Sequence, residues 1–128
     1  MSAMERDEIV AIEPKREKFF GGPGQMLLPC PATVGELVAQ IPAGEVATTK
    51  QLRETLAERF DVRGVCPVTF RNSLHALAGS ETPYWRVVKP TGELIARFSD
   101  QAERLRRESV IVTENRARGE SPAGRRGP

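Results

Sequence analysis

Apolar positions along this chain fall into helical and extended rhythms. Val34, Leu37, Val38 and Ile41 stand at i, i+3, i+4 and i+7, so a turn of 3.6 residues puts them on one face. Thr33 precedes them with Glu36 three residues on, the pattern of a capping box, and Pro42 follows; the spacing predicts a first helix from Thr33 to Pro42. A second box, Thr48 with Gln51, opens a helix whose Leu52, Leu56 and Phe60 recur every four residues. Pro67 suits a first helical turn, where its missing N–H costs nothing, and it opens a third helix, Pro67–Ala78. Phe70, Leu74, Leu77 and Ala78 form the inner face of that helix and Gly79 stops it. Its outer face carries Thr69, Arg71, Asn72 and His75, with no acid among them.

Beyond Gly79 the rhythm changes. Trp85 to Lys89 and Leu94 to Phe98 are β-prone runs around Pro90-Thr91-Gly92-Glu93, a hairpin signal. Asp100 with Glu103 predicts a fourth helix to about Glu108, carrying Ala102 and Leu105 inward, and Val110 to Thr113 reads as extended. Upstream, Gly21-Gly22-Pro23-Gly24 is a breaker cluster that lays Met26 to Leu28 against the core. No Gly-Lys-Ser/Thr follows it, so it is not a phosphate loop. The expected class is mainly α with a small β-hairpin, in the order of a winged helix-turn-helix: a three-helical bundle plus a wing. A short helical bundle with an incidental hairpin is the alternative.

Composition sets the limits of that domain. The 128 residues suffice for one core, expected over 26–113. Residues 1–25 mix charges without periodicity and read as a disordered or loosely docked arm. Residues 114–128 read as a disordered basic tail; after Glu114, Arg116, Arg118, Arg125 and Arg126 stand against one acid, Glu120. Net charge is only +2, so positive charge matters only where it is localised. Cys30 and Cys66 read as buried thiols in a reducing compartment. With His75 the only histidine, neither a metal site nor a cofactor is expected. No apolar run approaches the ~20 residues of a membrane span, which points to a cytoplasmic protein.

Ordered short motifs sharpen this picture. Ile41-Pro42-Ala43-Gly44-Glu45-Val46 and Thr48-Thr49-Lys50-Gln51-Leu52 come first, then Pro83-Tyr84-Trp85-Arg86-Val87-Val88. Gly92-Glu93-Leu94 and Leu105-Arg106-Arg107-Glu108-Ser109-Val110 close the series. Together they resemble the DNA-binding domain of the methylguanine-DNA methyltransferases. Those enzymes write Ile-Pro-x-Gly-x-Val, Thr/Ser-Tyr-Gly-x-Leu, Pro-Cys-His-Arg-Val-Val/Ile, Gly-x-Leu and Leu-x-x-Glu-Gly-Val in the same order. The likeness covers just over half the chain.

The departures bear on function. Tyr84 stands for the family's nucleophilic cysteine and Trp85 for the histidine that activates it. A phenol with a pKa near 10 is mostly protonated at neutral pH and is a poor alkyl acceptor. Loss of that cysteine is also the mark of alkyltransferase-like proteins, which bind alkylated guanine without repairing it. The family's Asn-Pro and Arg-Ala-Val-Gly are absent. Arg71 is the nearest match to its arginine finger, shifted by about one turn, and Thr49 takes the place of a tyrosine that helps rotate the nucleotide's phosphate.

The resemblance thus implies a non-catalytic, monomeric protein that binds double-stranded DNA, with alkylated guanine the candidate lesion and a repair protein a candidate partner. Candidate DNA contacts are Thr49, Lys50, Thr69, Arg71, Asn72, His75, Arg86, Lys89 and Thr91. Tyr84 and Trp85 either stack on a base in a pocket or pack between hairpin and third helix. Two other readings stay open: a protein-interaction adaptor on the same fold, and an alkyl acceptor using Cys66, whose place at a helix mouth favours a thiolate.

Overall fold

The computed structural model describes residues 5–118. Strand β1 (Glu8–Ala11) leads through a 3-10 turn and the one-turn helix α1 (Glu17–Phe20) to strand β2 (Gln25–Leu28), which pairs antiparallel with it. Helix α2 (Pro31–Val38) follows, then β3 (Ala47–Thr48), α3 (Thr49–Arg59), β4 (Gly64–Val65) and α4 (Pro67–His75). A 3-10 turn at Tyr84–Arg86 leads to β5 (Val87–Val88). Helix α5 (Gln101–Arg107) and strands β6 (Val112–Thr113) and β7 (Arg116–Ala117) complete the described chain. The fold is mainly α.

Helix α3 forms where its capping box predicts. Thr48 Oγ1 accepts from the Gln51 amide at 3.1 Å, and Gln51 Oε1 accepts from the Thr48 amide at 2.9 Å. Leu52 and Leu56 enter the core as the four-residue spacing requires, together with Val34, Leu37 and Val38 of α2 and Phe70 and Leu74 of α4. Burying each such side chain stabilises the fold by about 1.5–3 kcal/mol. A second cluster joins Val46, Val88, Leu94, Leu105 and Val110 beneath α5. A third joins Ile12, Met26 and Cys66 under the β1–β2 pair.

Five expectations need correction. The box at Thr33 does not form. Pro31 begins α2 two residues earlier, and Asp7 braces its start: Oδ1 accepts from the Cys30 amide at 2.8 Å and Oδ2 from the Thr33 hydroxyl at 2.6 Å. The arm 1–25 is therefore not loose from Asp7 onward, because β1 extends the sheet and Ile12 is buried. Sequence periodicity could not show this, since β1 alternates poorly and owes its place to a partner strand.

The hairpin Trp85–Lys89/Leu94–Phe98 is also absent. Val87 and Val88 pair in parallel with Ala47 and Thr48 instead, and Ala47, Val87 and Val88 are buried. The Ile95 amide donates to the side chain of Gln101 at 2.7 Å rather than to a ladder. What survives is the tight turn, closed by Gly92 N donating to Lys89 O at 2.8 Å with Gly92 at φ +90°. That turn packs on the β6–β7 hairpin, where Leu94 N donates to Asn115 O and Ala117 N to Gly92 O. The domain accordingly runs past residue 113 to include Arg116 and Ala117. Arg125 and Arg126 of the predicted tail lie outside the described residues. Helix α4 is shorter than Pro67–Ala78, and Leu77 and Ala78 continue it only as turns.

The sheet β1-β2-β4 positions the rest. β2 runs parallel to β4, with Met26 opposite Gly64 and Leu27 opposite Val65, in the connection between α3 and α4. Gly64 is needed there: a Cβ on it would lie 2.5 Å from the Phe20 ring. Within the core, Ser73 of α4 donates to the Pro29 carbonyl at 2.6 Å, tying α4 to the entry of α2.

Candidate nucleic-acid interface

Helix α4 contains no acid, and its Phe70 and Leu74 turn inward while Arg71 and His75 turn outward. Between α4, the start of α3 and the segment 95–97 lies a cleft of about 430 Å³. A volume in the range of roughly 300–1,000 Å³ is usual for ligand sites. Phe70, Leu74 and Ile95 supply its apolar lining, and Thr49, Arg53, Arg71, His75, Lys89 and Arg97 supply its polar one. Among the described residues no carboxylate lines it.

A buried side chain holds one wall. Gln101, 1% exposed, accepts from the Ile95 amide and donates to the carbonyls of Trp85 at 2.9 Å and Val87 at 2.6 Å. One amide side chain therefore fixes the segment carrying Arg97 to the strand before Lys89. Burial lowers the pKa of Arg53, and the neighbouring Glu54 opposes that; a guanidinium stays charged through such shifts. His75 meets Phe98 edge-on, ring centres 6.0 Å apart. Its pKa is held below the ordinary imidazole value first by burial, then by Arg97 and Arg71. The free cleft thus carries four permanent cations and an imidazole biased toward neutrality.

A larger hollow of about 690 Å³ lies on another flank of α3, lined by Glu54, Glu58, Asp61 and Arg63 among others. Its carboxylates outnumber its cations, so it repels a polyanion despite its size. Helix α3 is in this way acidic on one flank and basic on the other.

The cleft brings together Thr49, Arg71, His75 and Lys89 and adds Arg53 and Arg97, which sequence reasoning missed. Arg53 was detectable, standing one helical turn after Thr49. Arg97 was hidden inside a predicted strand that does not form. Lys50 and Thr91 are exposed but outside the cleft, and the Thr91 hydroxyl donates to Glu93. Asn72 is half-buried on α4 and does not line the cleft. Thr69 is engaged with Cys66. Burial pushes that thiol up, while hydrogen bonds from Thr69 and from Arg16, 3.8 Å away, bring it below its ordinary value. Cys66 itself is buried, against Met26 and Ile12.

Two candidate contacts, Arg86 and Tyr84, are engaged within the fold, and a third, Trp85, is half-buried. Arg86 is not at the surface interface: Nε and Nη2 donate to the Glu108 carboxylate at 3.0 and 2.6 Å, and Nη1 donates to the Ile41 carbonyl at 2.7 Å. This buttress serves the fold because it satisfies both charges and an orphan carbonyl at once. Tyr84 is 1% exposed and packs against Phe98 with ring centres 4.8 Å apart, so it belongs to the core rather than to a base pocket. Trp85 lies within cation–π distance of two guanidinium groups, Arg104 at 4.5 Å and Arg86 at 5.5 Å, and does not line the cleft.

Beyond Lys89 a second basic feature adjoins the turn. Arg116 and Arg118 are exposed on and after β7, and Arg116 Nη1 donates to the Thr91 carbonyl at 3.3 Å. Among the described residues no three metal-binding side chains cluster, and no helix is long and apolar enough to cross a membrane.

No family model matches the chain, and no curated protein matches it either. Its fold is similar to that of S. pombe Atl1, solved in complex with damaged DNA containing O6-carboxymethylguanine. The two chains are 20% identical, the match covers 77% of this chain and 94% of that one, and the TM-score is 0.51.

Proposed function

We propose that this chain is a non-catalytic DNA-binding protein of the alkyltransferase-like kind, which holds damaged duplex DNA without repairing it. The observation that carries the reading is the cleft against α4: Arg53, Arg71, Lys89 and Arg97 converge on an apolar lining with no carboxylate among them. Cations suit phosphates, and an apolar slot suits an unstacked base. The likeness of fold to Atl1, whose solved complex contains damaged DNA, supports the same reading.

In this reading α3 and α4 act as a helix-turn-helix, with α4 in a groove of the duplex and Arg71 at the base edges. The turn at Pro90–Gly92, backed by β6 and β7, takes the part of the wing. Lys50, Lys89 and Thr91 contact the backbone. A nucleotide carrying a lesion enters the cleft, since unstacking costs least at a damaged base. Tyr84 and Trp85 replace the thiolate and its base, so no alkyl group is transferred. The protein works as a monomer in the cytoplasm, close to the nucleoid, and marks the lesion for a repair partner.

The test is a fluorescence titration with duplexes carrying guanine or methylguanine at two salt concentrations. Tighter binding of the methylguanine duplex, weakened by salt, supports the proposal. Equal binding of both duplexes removes the lesion from it, and binding of neither leaves the adaptor reading.

A further inference from the structure

His75 is the only histidine in the chain, and it lines the basic cleft. It stands in the last turn of α4, one turn after Arg71, and lines the cleft together with Arg97. Arg71 and Arg97 are the charged groups whose fields reach it, while Lys89 and Arg53 line other walls of the same cleft. An imidazolium here is a further cation among cations, with no carboxylate in the lining to receive it.

We propose that His75 takes up a proton when a DNA phosphate enters the cleft, so that the site binds more tightly as the pH falls. This rests on the reading of the cleft as a DNA contact. In the free protein burial, Arg97 and Arg71 all hold the ring below its ordinary value of about 6.5. A phosphate beside the guanidinium groups offsets their field and adds an opposite charge, so the ring's value rises in the complex. The complex therefore binds more protons than the free protein. The gain in affinity is full below the free value and is lost as pH rises through the bound one. Each unit of difference corresponds to about tenfold in affinity.

The check is an NMR titration of the single imidazole, free and with a short duplex, joined to binding measured at about pH 5.5 and pH 7.5, either side of the ordinary imidazole range. The expected result is an imidazole that titrates higher in the complex, and several-fold tighter binding at the lower pH that disappears in His75→Gln. An imidazole value unchanged or lowered by DNA overturns the proposal, as does a pH dependence that survives in His75→Gln. No binding at either pH overturns it together with the DNA reading, whereas binding that ignores pH overturns it alone.

Discussion

The hydroxyl of Tyr84 donates to Asp100 Oδ2 at 2.7 Å, and Arg104 Nε donates to the same oxygen at 2.6 Å. One carboxylate oxygen thus locks the Tyr84 side chain in place. Burial first, and then Asp100, raise the phenol above its ordinary value, so it stays protonated at neutral pH. Incubation with methylguanine DNA should leave the intact mass of the protein unchanged. A stoichiometric gain of one methyl group would show that an acceptor other than Tyr84 is at work. Tyr84→Phe should cost about 1–2 kcal/mol in a denaturant melt, because it strips a hydrogen bond to a charged group.

Arg71 and Arg97 should be separable from the core by paired measurements. Arg71→Ala or Arg97→Ala should leave stability within about 0.5 kcal/mol, as for exposed changes, while weakening binding by roughly 1–3 kcal/mol if a base edge is read. Leu74→Ala removes a side chain only 1% exposed and should cost ~2–5 kcal/mol of stability through a cavity. Thermal melts and DNA titrations on the same samples decide between these outcomes. Unchanged binding in both arginine variants would remove the cleft from the interface.

Arg116 and Arg118 should act through phosphates alone. Replacing both with Ala should flatten the plot of log affinity against log salt by about 2, since each phosphate contact contributes roughly 0.9 to the slope. Preference for methylguanine should not change. A full slope in the double variant would place the β6–β7 hairpin away from the duplex.

Ser109 closes α5 at φ +68°, in the left-handed region. Its amide donates to Arg106 O and the Val110 amide donates to Leu105 O, the two bonds of a glycine-type helix stop. Ser109→Gly should therefore raise stability by about 0.5–1 kcal/mol, since a Cβ is strained in that conformation. Calorimetry would detect this as a higher Tm, and a lower Tm would mean the chain stiffness lost by adding glycine outweighs the strain relieved.

Glu108 should give the fold a recognisable acid limb. Burial would raise its carboxyl, but the hydrogen bonds and charge of Arg86 bring it below the ordinary glutamate value. A depressed carboxylate contributes stability above its unfolded pKa of about 4.3 and loses it as pH falls through the folded value. Acid titration of Glu108→Gln should show a shallower decline below about pH 4.5 than the parent protein does. At neutral pH, Arg86→Met should cost roughly 3 kcal/mol, because it leaves a largely buried carboxylate without its partner.

How far the sequence disclosed this molecule depended on how local each signal was. Thr48 and Gln51 sit three residues apart and need nothing else, so α3 was legible to its first residue. Thr33 and Glu36 offered the same pattern, but Asp7, distant in sequence, claimed the Thr33 hydroxyl. Val87 and Val88 read correctly as extended, yet their partner was Ala47–Thr48 rather than Leu94–Phe98, and strand propensity carries no address. The same gap hid Arg97, whose place in the cleft depends on the Gln101 amide beneath it. Arg86 misled for the opposite reason: a lone arginine between apolar residues reads as a surface contact, and only Glu108 reveals it as a strut.

The two parallel strand pairs also govern the order in which the chain can assemble. Met26–Gly64 and Ala47–Val87 each close a loop of about forty residues, whereas α3 and α4 form from neighbours in sequence. Loop closure must be met in entropy before a distant contact repays it. Loop closure thus favours helices that condense first, with the strands fastening afterwards at either end of α3. Nascent chain emerging only as far as α4 already contains Gly64 and its partner β2, but not Val87. The clamp at the α3–α4 connection can therefore close before the one that sets Lys89, a wall of the basic cleft.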